Sequence, residues 1–153
     1  MKKISMLVGL VAALFACGTA PATLQPEERV IQQVIEVDRP RDELFDLAME
    51  WVARAFRSAQ AVIQYQDREA GKIVGKGNMT VTYVLFSYPT YFTLTIETKD
   101  GRVRATVEDA YVLVDYENEV PIRKVEQMKR FKPKVLDLFA SLEAALRVEK
   151  ADW

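Results

Sequence analysis

The sequence predicts an α+β domain in which helices cover one face of a curved antiparallel sheet. Three observations carry this expectation. Apolar residues alternate along Lys72 to Tyr83 and again on both sides of an Asp100-Gly101 turn, which is the period of a half-buried strand. Two further stretches, one before these strands and one at the end of the chain, repeat apolar residues at helical spacing. A strand-helix-strands-helix order in which each element has one apolar face can bury those faces when the helices gather on one side of the sheet.

The first strand is expected from Arg29 to Val37, rich in Val and Ile. Asp38-Arg39-Pro40 then supplies a cap and a proline suited to a first helical turn. The helix runs from about Arg41 to Arg57, with Leu44, Phe45, Ala48, Val52, Ala55 and Phe56 on one face and Trp51 joining or bordering it. Asp42 and Glu43 sit where the helix macrodipole favours acids. Ala61 to Tyr65 reads as a strand leading to a turn at Asp67-Arg68-Glu69-Ala70.

In the next strand Ile73, Gly75, Gly77, Met79, Val81 and Tyr83 share one face, opposite Val74, Lys76, Asn78, Thr80 and Thr82. Tyr83, Phe86, Tyr88, Tyr91 and Phe92 gather around an expected turn at Pro89-Thr90, where cross-strand packing is preferred to a binding mouth. Phe92, Leu94 and Ile96 alternate with Thr93, Thr95 and Glu97, and Val103, Ala105 and Val107 return opposite them after Asp100-Gly101. Tyr111 to Tyr116 is one more strand. From Pro121 the chain reads as helical through Ile122, Val125, Met128, Val135, Leu136, Phe139, Leu142 and Leu146, with Pro133 starting a new helix or kinking a continuous one.

The N-terminus reads as an address. Lys2-Lys3, an apolar run from Ile4 to Phe15 and a small residue at Ala16 have the layout of a secretory signal. The run is too short to cross a bilayer, which takes about 20 apolar residues. Leu14-Phe15-Ala16-Cys17 resembles the lipobox of bacterial lipoproteins, and Cys17 is the one cysteine of the chain. The resemblance implies cleavage before Cys17, a thioether-linked lipid on its sulfur and acylation of the new N-terminus. Residues 1–16 are then a signal peptide, 17–27 a tether with prolines at 21 and 26, and 28–153 a single domain. At about 0.8 kcal/mol per buried methylene, two or three acyl chains hold a protein on the membrane. Gly18 in place of Asp implies, by resemblance to lipoprotein sorting in Gram-negative cells, the outer membrane. With no acidic cluster after Cys17, the domain is expected to face the periplasm.

Removing the signal leaves 19 basic and 22 acidic residues, a net charge of −3. With no His and its one Cys assigned to lipid, the chain lacks the residues for Ser-His-Asp or Cys-His catalysis, His/Cys zinc sites and axial-His haem. No cofactor is expected. An acidic, exported chain also lacks the basic balance that nucleic-acid phosphates require.

Asp42-Glu43-Leu44-Phe45, the run Ala70-Gly71-Lys72-Ile73-Val74-Gly75-Lys76-Gly77, the hairpin from Phe92-Thr93-Leu94-Thr95-Ile96 through Lys99-Asp100-Gly101-Arg102, and the terminal Asp152-Trp153 resemble the DUF4468 family of exported bacterial proteins. The resemblance spans about Glu28 to Tyr116 and is weaker beyond. It implies a TBP-like fold, of the class that also houses helix-grip proteins, and brings no activity with it. Arg41 departs from it, standing where relatives tend to carry a capping hydroxyl.

Gly71 to Gly77 is no phosphate loop, because only three residues separate Gly71 from Gly75-Lys76 and Gly77 replaces the required Ser or Thr. Gly75 and Gly77 instead thin the inward face of their strand. Together with Phe139 and Leu142 of the covering helix they either leave a pocket for an apolar small molecule or let the core close, and closure is preferred. Glu108, Asp109, Asp115, Glu117 and Glu119 read as solvated acids, with paired-carboxylate hydrolysis, metal-assisted or not, as the alternative. Arg123, Lys124, Lys129, Arg130, Lys132 and Lys134 read as a solvated helix face, with contact to anionic headgroups as the alternative. Two functions follow from these readings. The preferred one is a lipid-anchored envelope module that binds an envelope protein or a small apolar ligand, or is structural; the other is an envelope hydrolase.

Overall fold

The computed structural model describes residues 22–56, 62–83, 85–114 and 117–148. The segments expected as signal peptide and, up to Pro21, as tether, together with Cys17, Arg57, Ala61, Asp115, Tyr116, Asp152 and Trp153, lie outside the described residues. The elements are a 3-10 turn Pro26–Arg29, β1 Ile31–Glu36, α1 Arg41–Ala55, β2 Val62–Asp67, β3 Lys72–Tyr83, β4 Phe86–Lys99, β5 Arg102–Val114, β6 Asn118–Pro121 and α2 Val125–Leu146. The strands form one antiparallel sheet in the order β1-β5-β4-β3-β2, and β6 continues the β1 edge by pairing with the far end of β5.

Burial follows the period-2 pattern of the sequence. Phe92, Leu94 and Ile96 on β4 and Val103, Ala105 and Val107 on β5 are all buried, with Leu94 opposite Val107 and Ile96 opposite Ala105. Their neighbours face away from the helices, where Glu97 pairs with Arg104 at 2.6 Å. Leu44, Phe45, Ala48, Trp51 and Val52 of α1 and Met128, Phe131, Val135, Phe139, Leu142 and Leu146 of α2 close over the inner face. The helices also touch each other, and the Trp51 indole donates to Ser141 Oγ at 3.0 Å.

Several boundaries differ from the sequence reading, each for a local reason. The tether expected through Glu27 is already part of the domain from Ala22: Leu24 is buried, its N–H donates to Arg123 O at 2.7 Å, and Thr23 bridges Lys124. The 3-10 turn takes Arg29 out of the predicted first strand, and the Arg29 guanidinium binds Leu24 O. Pro40 is the N-cap of α1 instead of a first-turn residue, and Asp38 provides no cap.

β3 ends at Tyr83, paired with Phe86 at the start of β4, so Pro89-Thr90 do not form the turn and are paired within β4 as partners of Thr80 and Met79. The two strands expected at Arg102 to Val107 and from Tyr111 onward are one, β5, which ends at Val114 among the described residues. Tyr91 pairs with Tyr111 but Thr93 with Glu108, so β5 carries an extra residue there, and Asp109 takes a left-handed φ of 52°. That bulge breaks the alternation without ending the strand. Pro121 closes β6 instead of opening a helix, and α2 runs without interruption through Pro133.

Candidate functional site

Gly77 faces the end of α1. A Cβ there would stand 2.7 Å from Phe56 Cε1 and 3.0 Å from Phe92 Cζ, so the two rings occupy the space its side chain lacks. Phe56 is held in turn by Trp51, edge to face at 5.9 Å between centroids. The void left beside Gly75 and Gly77, bounded by Val52, Phe56, Ile63 and Leu94, has a volume of about 10 Å³. A cavity of that size is at the limit for one water molecule. Phe139 and Leu142 do not line it and are fully buried elsewhere in the core. The alternative of a pocket between the glycines and α2 has no space here, and the ring that fills it comes from the end of α1 instead of from α2.

A larger concavity opens on the outer side. Along one edge of β5, β1 pairs from Val107 back to Arg102 and β6 pairs from Tyr111 to Val114, which leaves Glu108, Asp109 and Ala110 in the gap between them. The Ala110 carbonyl accepts from Ile122 N–H at 2.8 Å. A groove of about 660 Å³ lies here, and Arg29, Lys76 and Arg123 line it along with Glu108, Asp109 and Glu119. Tyr111 borders it, stacked on Tyr91 at 5.3 Å. Burial raises the Tyr111 phenol above its ordinary value, and the Glu119 carboxylate adds to the shift.

The structure thus brings three of the five predicted acids together. Glu117 is exposed in the turn before β6 and does not join them. Among the described residues no group of three or more His, Cys, Asp or Glu side chains is placed to hold a metal ion. The meeting of Arg29 with these acids was not foreseen, since it depends on the docked N-terminal segment.

All six predicted basic residues, Arg123, Lys124, Lys129, Arg130, Lys132 and Lys134, are exposed at the start of α2. Gln127 caps this end by accepting from Lys124 N–H at 3.2 Å. Lys129 pairs with Glu126 at 2.6 Å. The predicted aromatic cluster divides between the two faces of the sheet. Phe92 is buried against Phe131, Tyr91 stacks outside on Tyr111, and Tyr83, Phe86 and Tyr88 form a chain of ring contacts at the β3–β4 tip.

No curated protein matches the chain. Among solved structures, a DUF4468 family protein from Bacteroides ovatus is similar over 81% of this chain and 89% of its own, at 13% identity and a TM-score of 0.65. A TBP-like protein from Parabacteroides distasonis is similar over 80% and 94%, at 12% identity and a TM-score of 0.63. These likenesses carry the fold alone. The family described as a domain of unknown function (DUF4468) with TBP-like fold matches residues 32–112, more than half of the chain, and the protein belongs to that family.

Proposed function

We propose that this protein is a lipid-anchored module of the bacterial cell envelope, acting by contacts at its surface with an envelope protein and not by carrying a ligand inside. The observation that carries the reading is the filled interior at Gly77, where Phe56 and Phe92 take the space an apolar guest would need. The lipobox-like Leu14-Phe15-Ala16-Cys17 supports the anchor. Gly18 favours the outer membrane and the lack of an acidic cluster favours the periplasmic side. The test is metabolic labelling with palmitate: the parent protein should take up label and fractionate with membranes. Cys17→Ser should do neither; label in that variant would contradict the assignment.

A second reading, carboxylate-dependent hydrolysis, draws on the meeting of Glu108, Asp109 and Glu119 in the outer groove. Arg29, Lys76 and Arg123 line the same groove and balance those charges, which suits recognition of a polar partner. A stoichiometric metal together with hydrolytic activity lost in Glu108→Gln would favour the second reading.

A further inference from the structure

Three features converge on one end of the sheet. The first is an apolar surface that the described helices leave exposed. The inner face of β3 and β4 continues outward from Val81 and Thr90 as Tyr83, Phe86 and Tyr88, and Val114 extends it on β5. Leu85 at the turn is 82% exposed and Phe86 65%. The rings of Tyr83 and Tyr88 lie 6.5 Å apart and those of Phe86 and Tyr88 6.4 Å, so the surface is continuous.

The second is charge. Residues 123–134 hold six cations and one acid, Glu126, which is paired with Lys129. Arg130 and Lys132 have no ion pair among the described residues. These cations lie in the tip half of the sheet, because α2 begins just after Ile122 N–H donates to Ala110 O, packs Phe131 on Phe92 in its second turn, and finishes at the opposite end, where Arg147 binds Glu36 O at 2.9 Å.

The third is where the chain joins the domain. Val125 N–H donates to Ala22 O at 3.2 Å, so the N-terminal segment meets the fold at the start of α2. Cys17 precedes Ala22 by five residues, a reach of about 18 Å at full extension. A lipid on Cys17 would hold this end of the domain, and not the Asp100-Gly101 end, against the bilayer.

We infer that the β3–β4 tip and the start of α2 form one docking surface for an anionic lipid bilayer. Leu85, Phe86 and Tyr88 sit among the headgroups, and Lys124, Arg130 and Lys132 face lipid phosphates. The occupant is a lipid surface because exposed aromatic and aliphatic side chains flanked by cations match the chemistry of the membrane interface. Each basic residue near such a surface strengthens binding about fivefold, and a nearby anchor makes even a weak contact persistent. Docking in this way leaves the outer groove open to a partner. The choice of occupant rests on the Cys17 anchor proposed above.

The experiment uses the purified mature protein, its acylation read by intact mass, with Leu85→Cys carrying an environment-sensitive fluorophore. It is reconstituted into phosphatidylcholine vesicles with or without phosphatidylglycerol. In anionic vesicles the label should shift to the blue and be quenched by nitroxide-labelled lipid, while the same label at Lys99→Cys, at the opposite end, stays aqueous. Arg130→Gln with Lys132→Gln should return the Leu85 position toward the aqueous signal. Equal, aqueous signals at both positions would overturn docking while leaving the anchor standing. An intact mass without acyl groups would overturn the anchor instead. The chain from residue 17 with Cys17→Ser would then be titrated with the same vesicles. Binding that needs phosphatidylglycerol and weakens roughly 25-fold in the double variant would sustain docking, and no binding would overturn it.

Discussion

The carboxylate of Asp100 accepts a 2.7 Å hydrogen bond from the backbone N–H of Arg41, tying the turn between β4 and β5 to the first residue of α1. The same turn holds the β1–α1 connection, since Gly101 N–H donates to Arg39 O and its carbonyl accepts from Val37 N–H, both at 3.0 Å. Pro40 offers the helix no side-chain cap, so the cap comes from a residue 59 positions away in sequence. Formation of the hairpin and of the helix start are thereby coupled.

Asp100→Ala should cost about 0.5–2 kcal/mol of stability, as for loss of a helix cap. Asp100→Asn should cost less, because its amide oxygen can still accept, and Asp38→Ala should cost little. Urea denaturation of the three variants checks the order. A larger loss at Asp38 than at Asp100 would return the cap to its sequence-predicted position.

Gly71 and Gly101 both have left-handed backbones, with φ of 64° and 78°. Their surroundings differ. A Cβ on Gly71 would stand 2.5 Å from Thr98 O, whereas one on Gly101 would meet nothing within 4 Å. Gly101→Ala should therefore cost only the conformational strain, about 1–2 kcal/mol, and Gly71→Ala clearly more. Equal losses in thermal or urea unfolding would contradict the close approach of Gly71 to β4.

Gly77→Ala should lose about 1–3 kcal/mol by overpacking, since Phe92, 1% exposed, has no room to retreat. Introducing Phe56→Leu should relieve part of that loss, a coupling that a double-mutant cycle measures. A neutral Gly77→Ala would show that the interior has space to spare.

Burial lifts the Tyr83 phenol above its ordinary value, although its hydrogen bond with Thr90 works the other way. The unfolded chain thus releases this proton first. Stability owed to the neutral phenol is fully present below about pH 10, the unfolded value, and is lost as pH rises through the folded one. Tyr83→Phe should make the alkaline decline shallower without abolishing it, because Tyr111 and Tyr65 are shifted in the same direction. Urea midpoints measured from neutral pH to pH values above 10 check this. An unchanged decline would mean that Tyr83 is as solvated when folded as when unfolded.

The parts of the fold legible in sequence are those where one residue pattern meets one partner. The β4–β5 hairpin is the clearest, with Phe92, Leu94 and Ile96 facing a core and a Gly at the left-handed turn position. The Asp109 bulge was not legible, because an extra residue shifts the alternation and imitates the end of a strand. Leu24 looked like tether for a similar reason: its small and proline neighbours signal extension, and its burial depends on Arg123 and Lys124, about a hundred residues later. Of the candidate sites, the basic start of α2 could be read as a run of cations, and its place in the same half of the sheet as the aromatic tip could not. Gly75 and Gly77 were recognised as space-making, but which helix fills the space is a matter of packing, and Phe56 decides it.

Whether the interior holds a guest separates a surface-acting module from a carrier, and native mass spectrometry of the protein isolated from its native cells asks this directly. The void of about 10 Å³ beside Gly77 predicts a single species, the polypeptide with any covalently attached acyl groups and no non-covalent guest. A stoichiometric apolar molecule that leaves on gas-phase activation, in a protein that remains folded, would contradict the filled core and make this domain a ligand carrier.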